Sequence, residues 1–212
     1  FERDLADLRR GIPRMRRLGT RFIRIMSYPN DGLPERDWRQ KVFRRLHELR
    51  RIAEGEGVVL LHENCDGWGS ATPENLEALL QEMDSPAFRI VFDPGNPIHH
   101  GQSADEMWRF YHVALPFIDH FHVKDCARRE DGTAVHTYPG EGWCDLHRMT
   151  VDLLGRGYSG AFSIEPHMAA QVDQEGMPGH GSTAAEVYRE YGRRCNRLLD
   201  RVEREASKVQ GS

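Results

Sequence analysis

No run of apolar residues in this 212-residue chain approaches the roughly 20 needed to cross a bilayer, and its opening residues do not read as a secretory signal, so none is expected. Lysine is scarce: Lys41, Lys124 and Lys208 are the only three among 29 basic residues. Nor is positive charge in excess, since 33 acidic residues bring the formal charge to -4, a poor basis for holding a phosphate backbone. Neither a membrane nor a nucleic acid is therefore expected as a partner. The four cysteines (Cys65, Cys126, Cys144, Cys195) show no C-x-x-C spacing, a usage that fits a reducing cytoplasm. What the chain does have is 39% hydrophobic and 29% charged residues, a globular balance, and enough length to bury a core without disulfide or metal staples.

Short apolar runs alternate with longer amphipathic ones. The apolar runs are Phe22-Ile23-Arg24-Ile25-Met26, Val58-Val59-Leu60-Leu61, Phe88-Arg89-Ile90-Val91-Phe92, Phe117 to Phe121, and Ala161-Phe162-Ser163-Ile164. Their length and their β-branched and aromatic content predict buried strands. Helices are expected over Asp4 to Leu18, Glu35 to Glu54 and Pro73 to Met83, the last with Thr72 as N-cap and proline at its first position. Further helices are expected over Ala104 to Leu115 after Ser103, Leu146 to Leu154, and Thr183 to Glu205 capped by Ser182. Five β-α units in strict alternation, with no reverse hairpin, predict an α/β fold with a parallel sheet, either doubly wound or closed into a barrel. A single domain over 1–212 is expected, with one long irregular stretch, Pro166 to Gly181, of the length of a lid or a solvent loop.

The strand ends favour the barrel. Each of the last four apolar runs stops in polar chemistry: His62-Glu63-Asn64, Asp93-Pro94-Gly95-Asn96, His120-Phe121-His122-Val123-Lys124-Asp125 and Glu165-Pro166-His167. In a β/α barrel the C-terminal strand ends meet at one mouth, where groups from several strands act together. A lone acid after a strand is usually a cap or a solvated loop residue. Four candidates at one topological position, Glu63, Asp93, His122 and Glu165, make a metal set of three oxygens and one nitrogen instead. That set suits one divalent ion of intermediate hardness, Mn2+ foremost, with Co2+, Mg2+, Fe2+ or Zn2+ also compatible.

Together with Gly140-Glu141-Gly142, Gly157-Tyr158-Ser159-Gly160 and Ser163-Ile164-Glu165-Pro166, these motifs make the chain resemble the sugar phosphate isomerase/epimerase family of xylose-isomerase-like TIM barrels. The resemblance spans about residues 20 to 200. It implies metal ligands at Glu63, Asp93, His122 and Glu165, with His122 preferred to His120 because it lies nearer the strand end. It also implies substrate-binding positions at Arg128 and Asn96; the latter stands where ketose epimerases carry a histidine. Lys124 and His167 are further substrate-contact candidates, and Trp68 and Trp143 are aromatics that could stack on a sugar face.

The implied chemistry is a metal-dependent sugar isomerisation or epimerisation of a small carbohydrate. A proton is removed next to a carbonyl, the enediolate is stabilised by the metal, and Glu63 and Glu165 serve as the catalytic acid–base pair. The alternative on the same scaffold is a lyase that expels a β-hydroxyl from a keto-sugar or inosose, or cleaves an oxidised glycoside. Homo-oligomerisation is compatible with the resemblance. A closed barrel needs eight β-α units and typically about 250 residues. The expectation is therefore a (β/α)8 TIM barrel of which this chain carries about the C-terminal five units, the first three lying before Phe1.

Overall fold

The computed structural model describes residues 1–168 and 183–210. The chain forms two compact units, one of residues 1–92 with 109–119, the other of residues 93–108 with 120–212.

In the first unit, helix α1 (Glu2–Leu18) leads into strand β1 (Phe22–Ile25), helix α2 (Glu35–Glu56), strand β2 (Val59–Glu63), helix α3 (Pro73–Met83) and strand β3 (Phe88–Phe92). The three strands are parallel, with Phe22 opposite Val59 and Leu60 opposite Phe88. Every residue of β2 is buried, as befits a strand flanked on both edges. Helix α2 turns Val42, Leu46, Leu49 and Ala53 to the interior at helical spacing, and Gly57 ends it in the left-handed conformation at φ 65°. Helix α3 starts where the sequence places it: the Thr72 hydroxyl accepts from the Asn75 N–H at 3.1 Å, and proline takes the first position.

The second unit holds a short helix α4 (Gly95–His99), the strand pair β5 (Asp125–Arg128) and β6 (Ala134–Thr137), helix α6 (Leu146–Gly155), strand β7 (Ala161–Ile164) and helix α7 (Ala184–Gln210). Helix α5 (Ala104–Ala114) and strand β4 (Ile118–Val123) carry residues of both units. Strands β4 and β7 run parallel, with His122 opposite Ser163. Ser103 caps α5 reciprocally with Glu106: the Glu106 N–H donates to the Ser103 hydroxyl and the Ser103 N–H to the Glu106 carboxylate.

Three local expectations are corrected. A reverse hairpin is present after all, because β5 and β6 pair antiparallel across the Asp131-Gly132 turn, Gly132 standing at φ 84°. The fourth strand begins later than expected, since Leu115–Phe117 forms a 3-10 turn around Pro116. Thr183 caps the closing helix, its N–H donating to Glu186 at 2.7 Å while its hydroxyl accepts from the Glu186 N–H. Ser182, and the expected irregular stretch from 169 to 181, lie outside the described residues.

Candidate metal centre

In the second unit, Asp93 follows β3 directly and is fully buried. One of its oxygens accepts from the backbone N–H groups of Gly95 at 2.8 Å and Asn96 at 3.2 Å, which locks the carboxylate at the entrance to α4. Its other oxygen lies 3.5 Å from His122 Nδ1 and 2.9 Å from Lys124 Nζ. Glu165, one residue beyond β7, places Oε1 3.8 Å from the same His122 nitrogen and Oε2 2.5 Å from the same ammonium. Backbone approach is close here: a Cβ on Gly95 would stand 2.6 Å from Lys124 Cγ, so only glycine lets α4 close over the lysine stem.

The spacing fits a divalent ion. Metal–oxygen and metal–nitrogen bonds of about 2.1 Å at tetrahedral or octahedral angles put neighbouring donor atoms about 3.0–3.4 Å apart. The observed 3.5 and 3.8 Å are a small contraction away from that. His120 takes another role: its Nε2 pairs with Ser163 Oγ at 2.8 Å, so His122 is the strand's contribution to the carboxylates.

The charges are balanced inside the cluster. Burial alone would lower the Lys124 pKa, but Asp93 and Glu165 overcome it and hold the ammonium above its ordinary value. Burial pushes the Asp93 carboxyl upward against the pull of His122 and Lys124. It acts the same way on Glu165, yet His167, Asp93 and Lys124 together hold that carboxyl far below the usual range. His167 stands 3.4 Å from Glu165 on its outer side.

In the first unit Glu63 ends β2 and is buried to 1% exposure, with Arg24 NH1 2.7 Å from its Oε2. An arginine inside a four-residue apolar strand is the sign in the sequence that a buried acid needs a partner. Beside Glu63, the buried His62 donates to or accepts from Ser27 Oγ at 3.1 Å, and desolvation lowers its pKa to about 4.

The other expected substrate contacts divide. Asn96 is buried on α4 next to Asp93, and Arg128 on β5 donates to the Ile98 carbonyl at 2.9 Å. His167 is exposed beside Glu165, and Trp143 is half exposed. Trp68 is corrected: at 2% exposure its indole packs edge-on to Phe43 and donates to Glu35, so no face is open to a sugar. Its burial follows from its helical turn, which folds over Leu79 and Asn75.

One structural residue was missed. Asp125 is buried and its two oxygens accept from four backbone N–H groups, those of Cys126 (2.9 Å), Gly140 (2.8 Å), Gly142 (3.1 Å) and Cys144 (3.2 Å). Tyr191 of α7 accepts from the Asp125 N–H and donates to the Val123 carbonyl. This knot ties the Gly140-Glu141-Gly142 loop to the residue following Lys124. Paired glycines near a buried aspartate were the available sign. Burial pushes the Cys126 and Cys195 thiols up to about 11 and Cys144 well above its ordinary value.

The chain is similar to several known proteins. The chain is 26% identical over 145 residues to an inosose dehydratase of Bacillus thuringiensis, a match covering 62% of this chain and 47% of that protein. It is 34% identical over 131 residues to the 2-epi-5-epi-valiolone 7-phosphate 2-epimerase of an Actinoplanes species, covering 62% and 42%. The chain thus spans about half the length of the curated relatives it matches. A xylose isomerase-like TIM barrel protein from Mycobacterium smegmatis, solved with magnesium, shares the fold at a TM-score of 0.69 and 19% identity, covering 95% of this chain and 68% of that one. The family model described as "Xylose isomerase-like TIM barrel" matches residues 1–190. With residues 1–190 so matched, the chain belongs to the xylose isomerase-like TIM-barrel family.

Proposed function

We propose that the protein is a divalent-metal-dependent sugar or cyclitol isomerase or epimerase that works by moving a proton on the carbon next to a carbonyl. The observation that carries this reading is the convergence of Asp93, His122 and Glu165, at 3.5 and 3.8 Å between donor atoms, around a charged Lys124. Glu63 is proposed as the fourth ligand, a buried carboxylate at the corresponding end of its own strand. Three oxygens and one nitrogen favour Mn2+ among the ions compatible with such a set. A divalent ion held there would polarise the substrate carbonyl and offset the negative charge that grows on its oxygen.

The residues of the chain supply the rest. Glu63 and Glu165 take the proton from carbon and return it, each a carboxylate whose strand-end position fixes its reach. Lys124 keeps the buried Asp93 and the partly exposed Glu165 ionised by staying protonated between them. Asp93 and His122 would hold the ion without exchanging protons. Asn96, Arg128 and His167 contact the substrate's hydroxyls or phosphate, with Arg128 also bracing the C-terminal end of α4 through the Ile98 carbonyl.

A second reading is favoured by the inosose dehydratase relatives: the same base removes the proton and a β-hydroxyl leaves as water. One experiment separates the two. The protein is incubated with Mn2+ and a panel of ketoses and inososes in D2O. Deuterium entering next to the carbonyl of a substrate with an intact skeleton supports the isomerase or epimerase. Loss of water supports the dehydratase. Near-normal turnover in both Glu63→Gln and Glu165→Gln would overturn the proton-transfer assignment.

A further inference from the structure

We propose that His99, Cys126 and His136 form a second metal site, for a borderline divalent ion such as Zn2+, distinct from the carboxylate set of Asp93, His122 and Glu165. Their ligand atoms lie within 4.8 Å of one another. The fold builds this arrangement rather than leaving it to chance rotamers. Cys126 and His136 are directly opposed partners in the antiparallel β5–β6 ribbon, so their side chains leave on the same face. His99 is the last residue of α4, and the end of that helix is fastened to the ribbon by the bond from Arg128 to the Ile98 carbonyl.

The histidine at the centre lacks what a merely structural histidine has. His136 Nδ1 is buried and, among the described residues, finds no hydrogen-bond partner. An unsatisfied buried donor or acceptor is destabilising, a penalty that coordination to a cation removes. Against His136 lie two imidazoles, His99 stacked at 4.9 Å and His167 at 4.8 Å between ring centroids. Three imidazoles and a buried thiol in one place suit a cation that wants nitrogen and sulfur. Among the described residues the Cys126 thiol makes a weak contact to the Ala127 carbonyl at 3.6 Å.

The ligand set is one thiolate sulfur and two imidazole nitrogens, with a fourth position left to water. Binding is proton-balanced: Zn2+ takes the place of the Cys126 thiol proton, which passes to solvent, and both imidazoles bind as neutral ligands. The exposed His99 supplies the adjustment needed to draw donors within 4.8 Å into bonding range. The site also touches the proposed chemistry, because His167 packs on His136 on one side and stands 3.4 Å from Glu165 on the other. An ion here would therefore fix the position of His167 beside that carboxylate. The assignment does not depend on the proposed function, since none of the three ligands belongs to it.

Cobalt(II) titration of the metal-stripped protein is the test, because only a Co2+–thiolate bond gives the intense sulfur-to-metal charge-transfer band in the near ultraviolet. The expected result is that band, with two cobalt equivalents bound. Cys126→Ser should lose the band and one equivalent while keeping its fold by circular dichroism. His99→Ala, an exposed change that leaves folding alone, should weaken the thiolate site by more than about 100-fold, beyond the loss seen when a residue that only orients a ligand is removed. His122→Ala should lose the other equivalent and keep the band. A band with a single equivalent in the unmodified protein would uphold this site and overturn the carboxylate one. Absence of the band, its persistence in Cys126→Ser, or its indifference to His99→Ala would overturn the proposal.

Discussion

Replacing Lys124 by methionine tests the charge balance of the carboxylate cluster. Methionine keeps the length and most of the volume of the lysine stem, so the packing against Gly95 changes little. What is lost is an ammonium buried to 3% exposure, 2.9 Å from Asp93 and 2.5 Å from Glu165. Removing one partner of a buried ion pair costs about 3–5 kcal/mol, because the remaining charge has no water to replace it. Against a total stability of about 5–15 kcal/mol, that loss is plain in a urea melt. The direction of the pH dependence follows from burial, which already pushes Asp93 upward. Without the ammonium the folded carboxyls hold protons that the unfolded chain releases, so the variant loses stability as pH rises through the carboxylate range. The penalty is therefore full near about pH 7 and largely gone near about pH 4. Divalent metal supplies the missing charge, and Mn2+ at 100 times its Kd should return about 2.7 kcal/mol. Urea melts of both proteins at the two pH values, with and without Mn2+, read all of this. A loss under about 1 kcal/mol near neutral pH, or an equal loss at both pH values, would refute the reasoning.

Other expectations follow from single features. Gly142→Ala puts a Cβ 2.1 Å from Asp125 Oδ1 and should cost at least about 2 kcal/mol by prising open the four-fold backbone knot, whereas Gly155→Ala, with nothing within 4 Å, should be near neutral in the same thermal melts. Glu63→Gln and Glu165→Gln should each lower kcat by about 100-fold or more with unchanged circular dichroism, while Arg128→Ala should chiefly raise KM. Thr183→Ala removes the cap of α7 and should cost about 1 kcal/mol in a urea melt, with Thr183→Ser restoring most of it.

Much of this was legible in the sequence because it is local. The helix over Pro73–Met83 is written in Thr72 and Pro73, and that over Ala104–Ala114 in Ser103 and Glu106. The β5–β6 ribbon was not legible, because Asp125–Arg128 and Ala134–Thr137 carry no apolar alternation, and only Asp131-Gly132 marked the turn. Trp68 misled for a related reason: a tryptophan among glycines and a serine reads as an exposed loop, and nothing local shows that Phe43 and Glu35 close over it.

The sequence by itself determined which chemistry the strand ends carry. Period and punctuation place Asp93, His122 and Glu165 just at or beyond strand termini, and a parallel β/α order sends such termini the same way. Tertiary structure alone decided their partners. Lys124 stands next to Asp125 in the chain, yet it pairs with Asp93 and Glu165, 31 and 41 residues distant, while Asp125 accepts backbone N–H groups from the opposite face. Successive side chains of an extended segment point to opposite sides, so neighbours in sequence become strangers in space. Cys126 and His136 are the same lesson in reverse: ten residues apart and unremarkable in the chain, they face one another only because the ribbon pairs them.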